Sequence, residues 1–440
     1  MARRKTYADL HVYLNGYLVG RLSKQLNGAV VFTYDPAWAD RPDAIPVSLS
    51  LPLRTEPHRG PEVAAFFDNL LPDQPAIRRR VAERISAPGT DAYGLLSRIG
   101  RDCVGALQFL DDDTPPSSLD RIEGEPVSDD DIATMLKNLE QTPLGLQGDD
   151  DFRISIAGAQ EKTALLFHEG QWLKPTGTTP TTHILKTQIG HLPNGIDLSN
   201  SVENEFYCLK LAQAFGLDVN HAEMMVFSGI KALVVRRFDR KWLNNGWLIR
   251  LPQEDFCQLT GTPPTLKYQS EGGPGIVDIL DALKGSDDPG RDHRNFLMAQ
   301  MLFWIIGATD GHAKNFSVFL APGGRFRMTP LYDILTAQPS LDHRQGERRQ
   351  MKLAMSVGQN RHYRLDQIQP RHFAQTAEKA GIPPLIFKTA LQQLVERGGS
   401  AFDAAAAGLP EDFPPDIHDS VLHAARPRLD ACASFLDQLS

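Results

Sequence analysis

Leu10, Val12 and Leu14 alternate with polar positions, and Tyr17 and Val19 resume the alternation after Asn15-Gly16. Strict alternation marks a half-buried strand, and Asn-Gly between two such runs marks a two-residue hairpin, whose central positions both need positive φ. A further strand is expected over 29–34, and helical spacing of apolar residues follows over 64–71 and 74–85. The stretch 111–131 is acidic and rich in Pro and Ser, which predicts a surface loop or linker. Between 151 and 239 the pattern runs strand, loop, strand, helix, strand. Helical periodicity then dominates over 277–283, 293–306, 373–380, 384–397 and 417–439, with polar breaks at 284–294 and 341–350. A β-rich front half therefore precedes a helical rear half, without internal repeats.

The chain has 440 residues, enough for two or three domains or lobes. Its 41% hydrophobic and 23% charged residues are those of a soluble globular protein. A formal net charge of −8 argues against coating nucleic acid through bulk charge and leaves room only for a local basic patch. Cys103, Cys208, Cys257 and Cys432 lie far apart with no CxxC pair, which suits reduced, buried thiols in a cytosol better than disulfides or a zinc site. The N-terminal stretch has no apolar run of signal-peptide type, and the longest apolar stretch, 296–308, is too short for a bilayer and contains Gln300. The expectation is a cytoplasmic protein without membrane contact.

Against this background Asp310-Gly311-His312-Ala313-Lys314-Asn315, followed by Tyr332-Asp333, changes the picture. An aspartate, an asparagine five positions on and a second aspartate about two dozen residues later is the spacing used for phosphoryl transfer from ATP. In that scheme Asp310 accepts the proton of the attacking hydroxyl. Asn315 and Asp333 give hard oxygen ligands to Mg²⁺. His312 orients the loop, and Lys314 either meets a phosphate or is solvated. Asp, Gly and Asn also favour turns for local reasons, so the ordered set carries the reading rather than any one member.

Upstream, a small-residue loop at Ala157, Gly158 and Ala159 leads into a strand, which lets backbone N–H groups approach phosphates. Lys186 sits among apolar residues of an expected strand and is placed to reach α- and β-phosphates. On the following helix Glu205 shares a face with Val202, Phe206, Leu209 and Ala212. A buried carboxylate needs a partner, and Lys186 is the candidate. The strand ending at Arg236 and Phe238 is expected to offer its backbone to an adenine edge, and Gln253 is expected to line the cleft.

These residues resemble a known family. The segments 152–166 (FRISIAGAQEKTALL), 183–186 (HILK), 236–240 (RRFDR), 251–258 (LPQEDFCQ), 272–276 (GGPGI), 307–319 (GATDGHAKNFSVF) and 331–334 (LYDI) resemble those of the HipA kinase toxins of bacterial toxin–antitoxin pairs. So do 48–53 (SLSLPL), 66–73 (FFDNLLPD) and 99–106 (IGRDCVGA), so the likeness spans nearly the whole chain. It implies an α+β, two-lobed protein-kinase-like fold of phosphoinositide-kinase type. Its parts are expected as a β-rich N-terminal subdomain over 1–120, a nucleotide-binding part over 140–238 and an all-helical C-terminal lobe with the catalytic loop over 239–440.

The resemblance further implies a serine/threonine protein kinase using ATP and Mg²⁺. Asp310 is then the base, and Asn315 and Asp333 are the metal ligands. Ile156, Ala157, Gly158, Ala159, Lys162, Lys186, Arg236, Phe238, Gln253, His312 and Tyr332 lie about the nucleotide, and Ser155 is the autophosphorylation site. Glutamate is usual where this chain has Arg236, which leaves only a backbone contact there. The implied partners are a HipB-like helix-turn-helix antitoxin dimer, operator DNA bound through it, which would bring the complex to the nucleoid, and glutamyl-tRNA synthetase as substrate.

Ser155 also makes sense physically: a phosphoserine adds about −1.5 to −2 charges beside a loop meant for ATP phosphates and should empty it. Two other readings stand beside this one. In the first, a DNA-binding co-repressor with a minor catalytic role uses the basic cluster of Arg361, Arg364 and Arg371. In the second, the chain is a small-molecule phosphotransferase.

Overall fold

Asn15 and Gly16 take φ of 46° and 86°, the left-handed pair that a two-residue hairpin requires. The strands they join, Leu10–Leu14 and Tyr17–Lys24, pair antiparallel as expected. The computed structural model describes residues 7–111, 116, 118–139, 142–145, 154–158, 160–192, 195–345 and 347–439. They divide into two compact units. One comprises Met1–Thr187, Met225–Thr265 and Val318–Arg325; the other comprises Gln188–Met224, Leu266–Ser317 and Phe326–Ser440.

Two sheets dominate the described part of the first unit. Strands Val30–Tyr34, Tyr17–Lys24, Leu10–Leu14 and Leu107–Leu110 form the first, in that spatial order. Helices Pro61–Asp68 and Ala92–Ile99 pack on it, burying Val63, Phe66, Phe67, Leu95 and Leu96. The resulting core, with Val12, Leu22, Phe32 and Phe109, extends without a break to Ile154, Ile156 and Ala164. The N-terminal sheet and the small-residue loop thus share one hydrophobic interior.

In the second sheet the order is Ala222–Phe227, Ile230–Arg236, His183–Lys186, Lys162–His168, Gln171–Pro175 and Gly124–Pro126, and its edge strand enters this unit at Met225. Helix Asp129–Lys137 covers it, with Ile132 and Leu136 against Leu165, Leu185 and Val234. That helix shortens the expected loop at 111–131. Ser128 caps it with a reciprocal Asp131 contact, and three aspartates in its first turn complement the helix dipole.

The second unit is built on helix Pro289–Ile306, in which Phe296, Leu297, Met298, Met301, Leu302, Ile305 and Ile306 are wholly buried. Helices Pro384–Ala407 and Pro415–Gln438 pack against it, and Ser201–Ala214 packs on the former. Helices beginning at Pro61, Pro75, Pro289, Pro370, Pro384 and Pro415 all carry proline in the first turn. There the missing N–H costs nothing and the fixed φ suits the helix. Four of the expected helices, those placed at 64, 293, 373 and 417, thus begin two to four residues earlier, and part of the polar break at 284–294 is helical. The rear part carries in addition a hairpin of strands Lys352–Val357 and His362–Arg364. Among the described residues no helix is long and apolar enough to cross a membrane. All four cysteines are buried thiols, and burial pushes Cys103 up to about 12.

Candidate functional site

In the second unit, helix Pro289–Ile306 stops at Gly307, whose φ of 72° is the left-handed C-cap. Asp310 follows and is exposed. Gly311 is required by close approach, because a Cβ there would lie 2.5 Å from the Phe303 ring. The Asp310 carbonyl accepts from the His312 N–H at 2.8 Å and from Asn315 Nδ2 at 2.8 Å. With its nitrogen committed to that carbonyl, Asn315 keeps its Oδ1 available as a hard ligand. Asn315 is itself buried, and so are His312 and Lys314. A solvated Lys314 is therefore ruled out.

Asp333 takes φ 59°, one of few non-glycine residues in the left-handed region. Its neighbours hold it there. On one side the Leu331 N–H donates to Asp218 at 2.9 Å, and the Leu331 carbonyl accepts from Asn220 at 2.7 Å. On the other, Asn204 grips the Thr336 backbone twice, Nδ2 to the carbonyl at 2.8 Å and Oδ1 from the N–H at 2.9 Å. Tyr332 OH lies 2.5 Å from Ser317 Oγ and donates to the Lys314 carbonyl at 2.9 Å, tying the Asp333 segment to the loop of Asp310.

In the first unit, Ile156 is buried in the shared core, and Gly158 takes φ 112°, a conformation that L side chains rarely adopt; a Cβ there would also displace Lys162 Nζ, 2.5 Å away. Lys162 Nζ donates to the Ala157 carbonyl at 2.9 Å. Lys162 and Lys186 are directly opposite in the antiparallel register, so their side chains share one face of the sheet, and both are buried. Ala159 lies outside the described residues.

Ser155 is wholly buried. Its Oγ donates to the Leu70 carbonyl at 2.8 Å and its N–H to the Asp102 carbonyl at 2.9 Å. The Asp73 N–H donates to the Gly158 carbonyl at 3.1 Å. The loop is thus held at both ends by the segments 66–73 and 99–106, for which the sequence offered no role. Lys186 belongs to the first unit and Glu205 to the second. Glu203 is as buried as Glu205 and accepts from Gln188 Nε2 at 2.6 Å.

The Arg236 side chain is exposed, and Phe238 meets Phe319 edge-on with centroids 5.6 Å apart. Arg237, between them, belongs to a buried ionic network that spacing could not reveal. Asp102 receives Arg240 Nη2 at 2.8 Å, Arg250 Nε at 3.1 Å and Arg237 Nη1 at 3.2 Å, and Arg237 also grips Asp239 through Nε at 3.0 Å and Nη2 at 2.8 Å. Burial pushes the Asp102 carboxyl up, yet the three guanidiniums overcome this and hold it well below the usual range. Burial, aided by the neighbouring Arg240 and Arg237 charges, brings Arg250 down to about 10 against the opposing pull of Asp102. Gln253 begins strand Gln253–Asp255, beside Gly105. Its neighbour Glu254 is wholly buried and raised to about 8, chiefly by burial, although it accepts from Ser48 Oγ at 2.5 Å and Leu49 N–H at 2.8 Å.

Of the basic cluster, Arg361 and Arg371 are exposed, while Arg364 is gripped by Asp366 at 2.6 and 3.0 Å and its charge is already matched. His362 and His372 stack at 4.1 Å in the same cluster.

Comparison with known proteins agrees along nearly the whole length. Residues 10–110 match the HipA N-terminal domain and residues 154–402 the HipA-like C-terminal domain. A Sinorhizobium fredii protein named as a kinase, Y4mE, is 34% identical over 90% of this chain and 91% of its own. The serine/threonine-protein kinase toxin HipA of Shewanella oneidensis is 26% identical over 81% of this chain and 80% of its own. A chain in the solved Shewanella oneidensis complex of HipA, HipB and operator DNA superposes with TM-score 0.79 at 22% identity, covering 97% of this chain and 99% of that one. That likeness establishes the two-lobed α+β kinase-like fold.

Proposed function

This chain belongs to the HipA family and is a serine/threonine-protein kinase of toxin type, and on that premise we propose that Asp310 is its catalytic base, acting on ATP with Asn315 and Asp333 as the metal ligands. The observation that carries this is the arrangement around Asn315, whose amide nitrogen anchors the Asp310 carbonyl while its oxygen is left for a cation. The donor set, one amide oxygen and one carboxylate, fits Mg²⁺, which takes few protein ligands beside phosphates. When bound, the ion supplies charge neutralisation for the transferring group.

Asp310 takes the proton from an acceptor hydroxyl as its oxygen bonds to the γ-phosphorus, and the bond to the β-phosphate oxygen breaks to release ADP. Lys162, Lys186 and the backbone of Ile156–Gly158 hold the phosphates. The backbone of Arg236 and Phe238, with Gln253, takes the adenine side, and His312 and Tyr332 fix the loop geometry.

Ser155 is the self-limiting acceptor in this reading. A buried hydroxyl donating to a carbonyl cannot carry a phosphate in place, so modification must follow release of the loop from Leu70 and Asp73 and prevent its return. The Shewanella oneidensis relative was solved with HipB and operator DNA. By analogy a HipB-like antitoxin, operator DNA through it, and a translation component such as glutamyl-tRNA synthetase are the proposed partners. Intact mass after incubation with Mg-ATP, beside Asp310→Asn, tests the core of the reading. One phosphate mapping to Ser155 and lost in the variant is expected. No gain in a sample shown to start unphosphorylated would shift weight to the co-repressor reading, for which exposed Arg361 and Arg371 are the candidates.

A further inference from the structure

Asp310 stands exposed on a short connection, and its side chain needs a fixed direction to serve as a base. Tyr268 supplies a contact to it: the phenol OH donates to Asp310 Oδ1 at 2.6 Å. We propose that Tyr268 is a positioning residue for the kinase reaction, holding one carboxylate oxygen of Asp310 so that the other meets the acceptor hydroxyl. This rests on the reading of Asp310 as the base.

The surroundings of Tyr268 are those of a fixed anchor. Its ring meets His312 edge-on at 5.0 Å, and Lys267 Nζ lies 5.5 Å from its centroid. Its carbonyl accepts from Glu271 and Gly273, both at 3.0 Å. The glycines of 272–276, a motif otherwise without a task, make this turn possible. Gly272 takes φ 104°, a Cβ on Gly273 would fall 1.9 Å from the Leu266 carbonyl, and one on Gly275 would fall 2.1 Å from Gln269 Nε2. Gln269 in turn accepts from Ser356 N–H at 2.7 Å and Ser356 Oγ at 2.9 Å, which ties the turn to strand Lys352–Val357. That strand, which the sequence pattern did not disclose, buttresses the turn. A tyrosine meant to swing away from the base would not be secured from so many sides.

The test follows phosphate incorporation into the chain itself by intact mass across a range of Mg-ATP concentrations, for wild type, Asp310→Asn, Tyr268→Phe and Gln269→Ala. Loss of a hydrogen bond to a charged group predicts a maximal rate about 10- to 100-fold lower for Tyr268→Phe. Half-saturating Mg-ATP and thermal midpoint should stay unchanged, a split that a merely structural role would not give. Gln269→Ala, which keeps the phenol and loosens its turn, should lower the rate to a smaller extent, and it decides the matter should Tyr268→Phe fold poorly. Wild-type rates in Tyr268→Phe overturn the inference. A faster variant overturns it too, since it would make Tyr268 a cap that acceptors displace. If wild type and Asp310→Asn behave alike, the base assignment itself has failed and this inference falls with it.

Discussion

Asp102→Asn keeps the side-chain shape and removes one of the two carboxylates that neutralise three buried guanidiniums. The Asp102 carboxylate receives three arginine hydrogen bonds, with a fourth and fifth from the Thr181 N–H at 3.0 Å and Oγ1 at 2.7 Å. An amide keeps one acceptor oxygen and turns two new donors toward groups that are themselves donors. Charge pairs at about 4 Å are worth about 4 kcal/mol at an effective dielectric near 20. Leaving buried charges unpaired typically costs about 3–5 kcal/mol. We expect the first unit to lose about 4 kcal/mol.

Urea unfolding followed by tryptophan fluorescence measures this, because Trp38, Trp172, Trp242 and Trp247 all lie in the first unit. The pH dependence has a definite sign. The folded-state pKa of Asp102 is depressed, so its contribution is present above the ordinary carboxylate value of 3.8 and lost as pH falls below it. The gap between wild type and variant should therefore be widest at neutral pH and narrow on acidification below about pH 4. A gap under about 1 kcal/mol at pH 7, or one that stays constant as the pH is lowered, would refute the argument that the network is held by charge.

Other outcomes follow from the same geometry. Ser155→Asp places a carboxylate against the Leu70 carbonyl and should free the loop. A fall of at least about tenfold in ATP affinity with new proteolytic cutting near 155 is expected, and unchanged affinity would sink the switch. Asn315→Ala removes both a metal ligand and the Asp310 carbonyl anchor, so kinase activity should drop by about 100-fold or more and need more Mg²⁺. Glu254, raised to about 8, binds a proton more readily folded than unfolded, so stability falls as pH rises from its ordinary 4.5 toward 8. Glu254→Gln should flatten that slope in denaturation midpoints taken between pH 5 and 9.

Local rules written in the sequence settled the hairpin at Asn15-Gly16, the helix stop at Gly307 and the order Asp310, Asn315, Asp333. Each depends on φ preference, periodicity or donor chemistry within a few residues, which a linear string records. The segments 66–73, 99–106 and 272–276 were visible only as a likeness, because their work is done at a distance. Leu70 and Asp102 meet Ser155, Asp102 meets arginines more than a hundred positions away, and the glycines after Tyr268 shape a turn that reaches Asp310. Burial of Ser155 and Glu203 likewise arises from packing. Composition dictates which groups exist and what each stretch prefers; only the closed chain decides which charges lose water, which hydroxyls are spent on carbonyls, and which carboxylate is held in place to act.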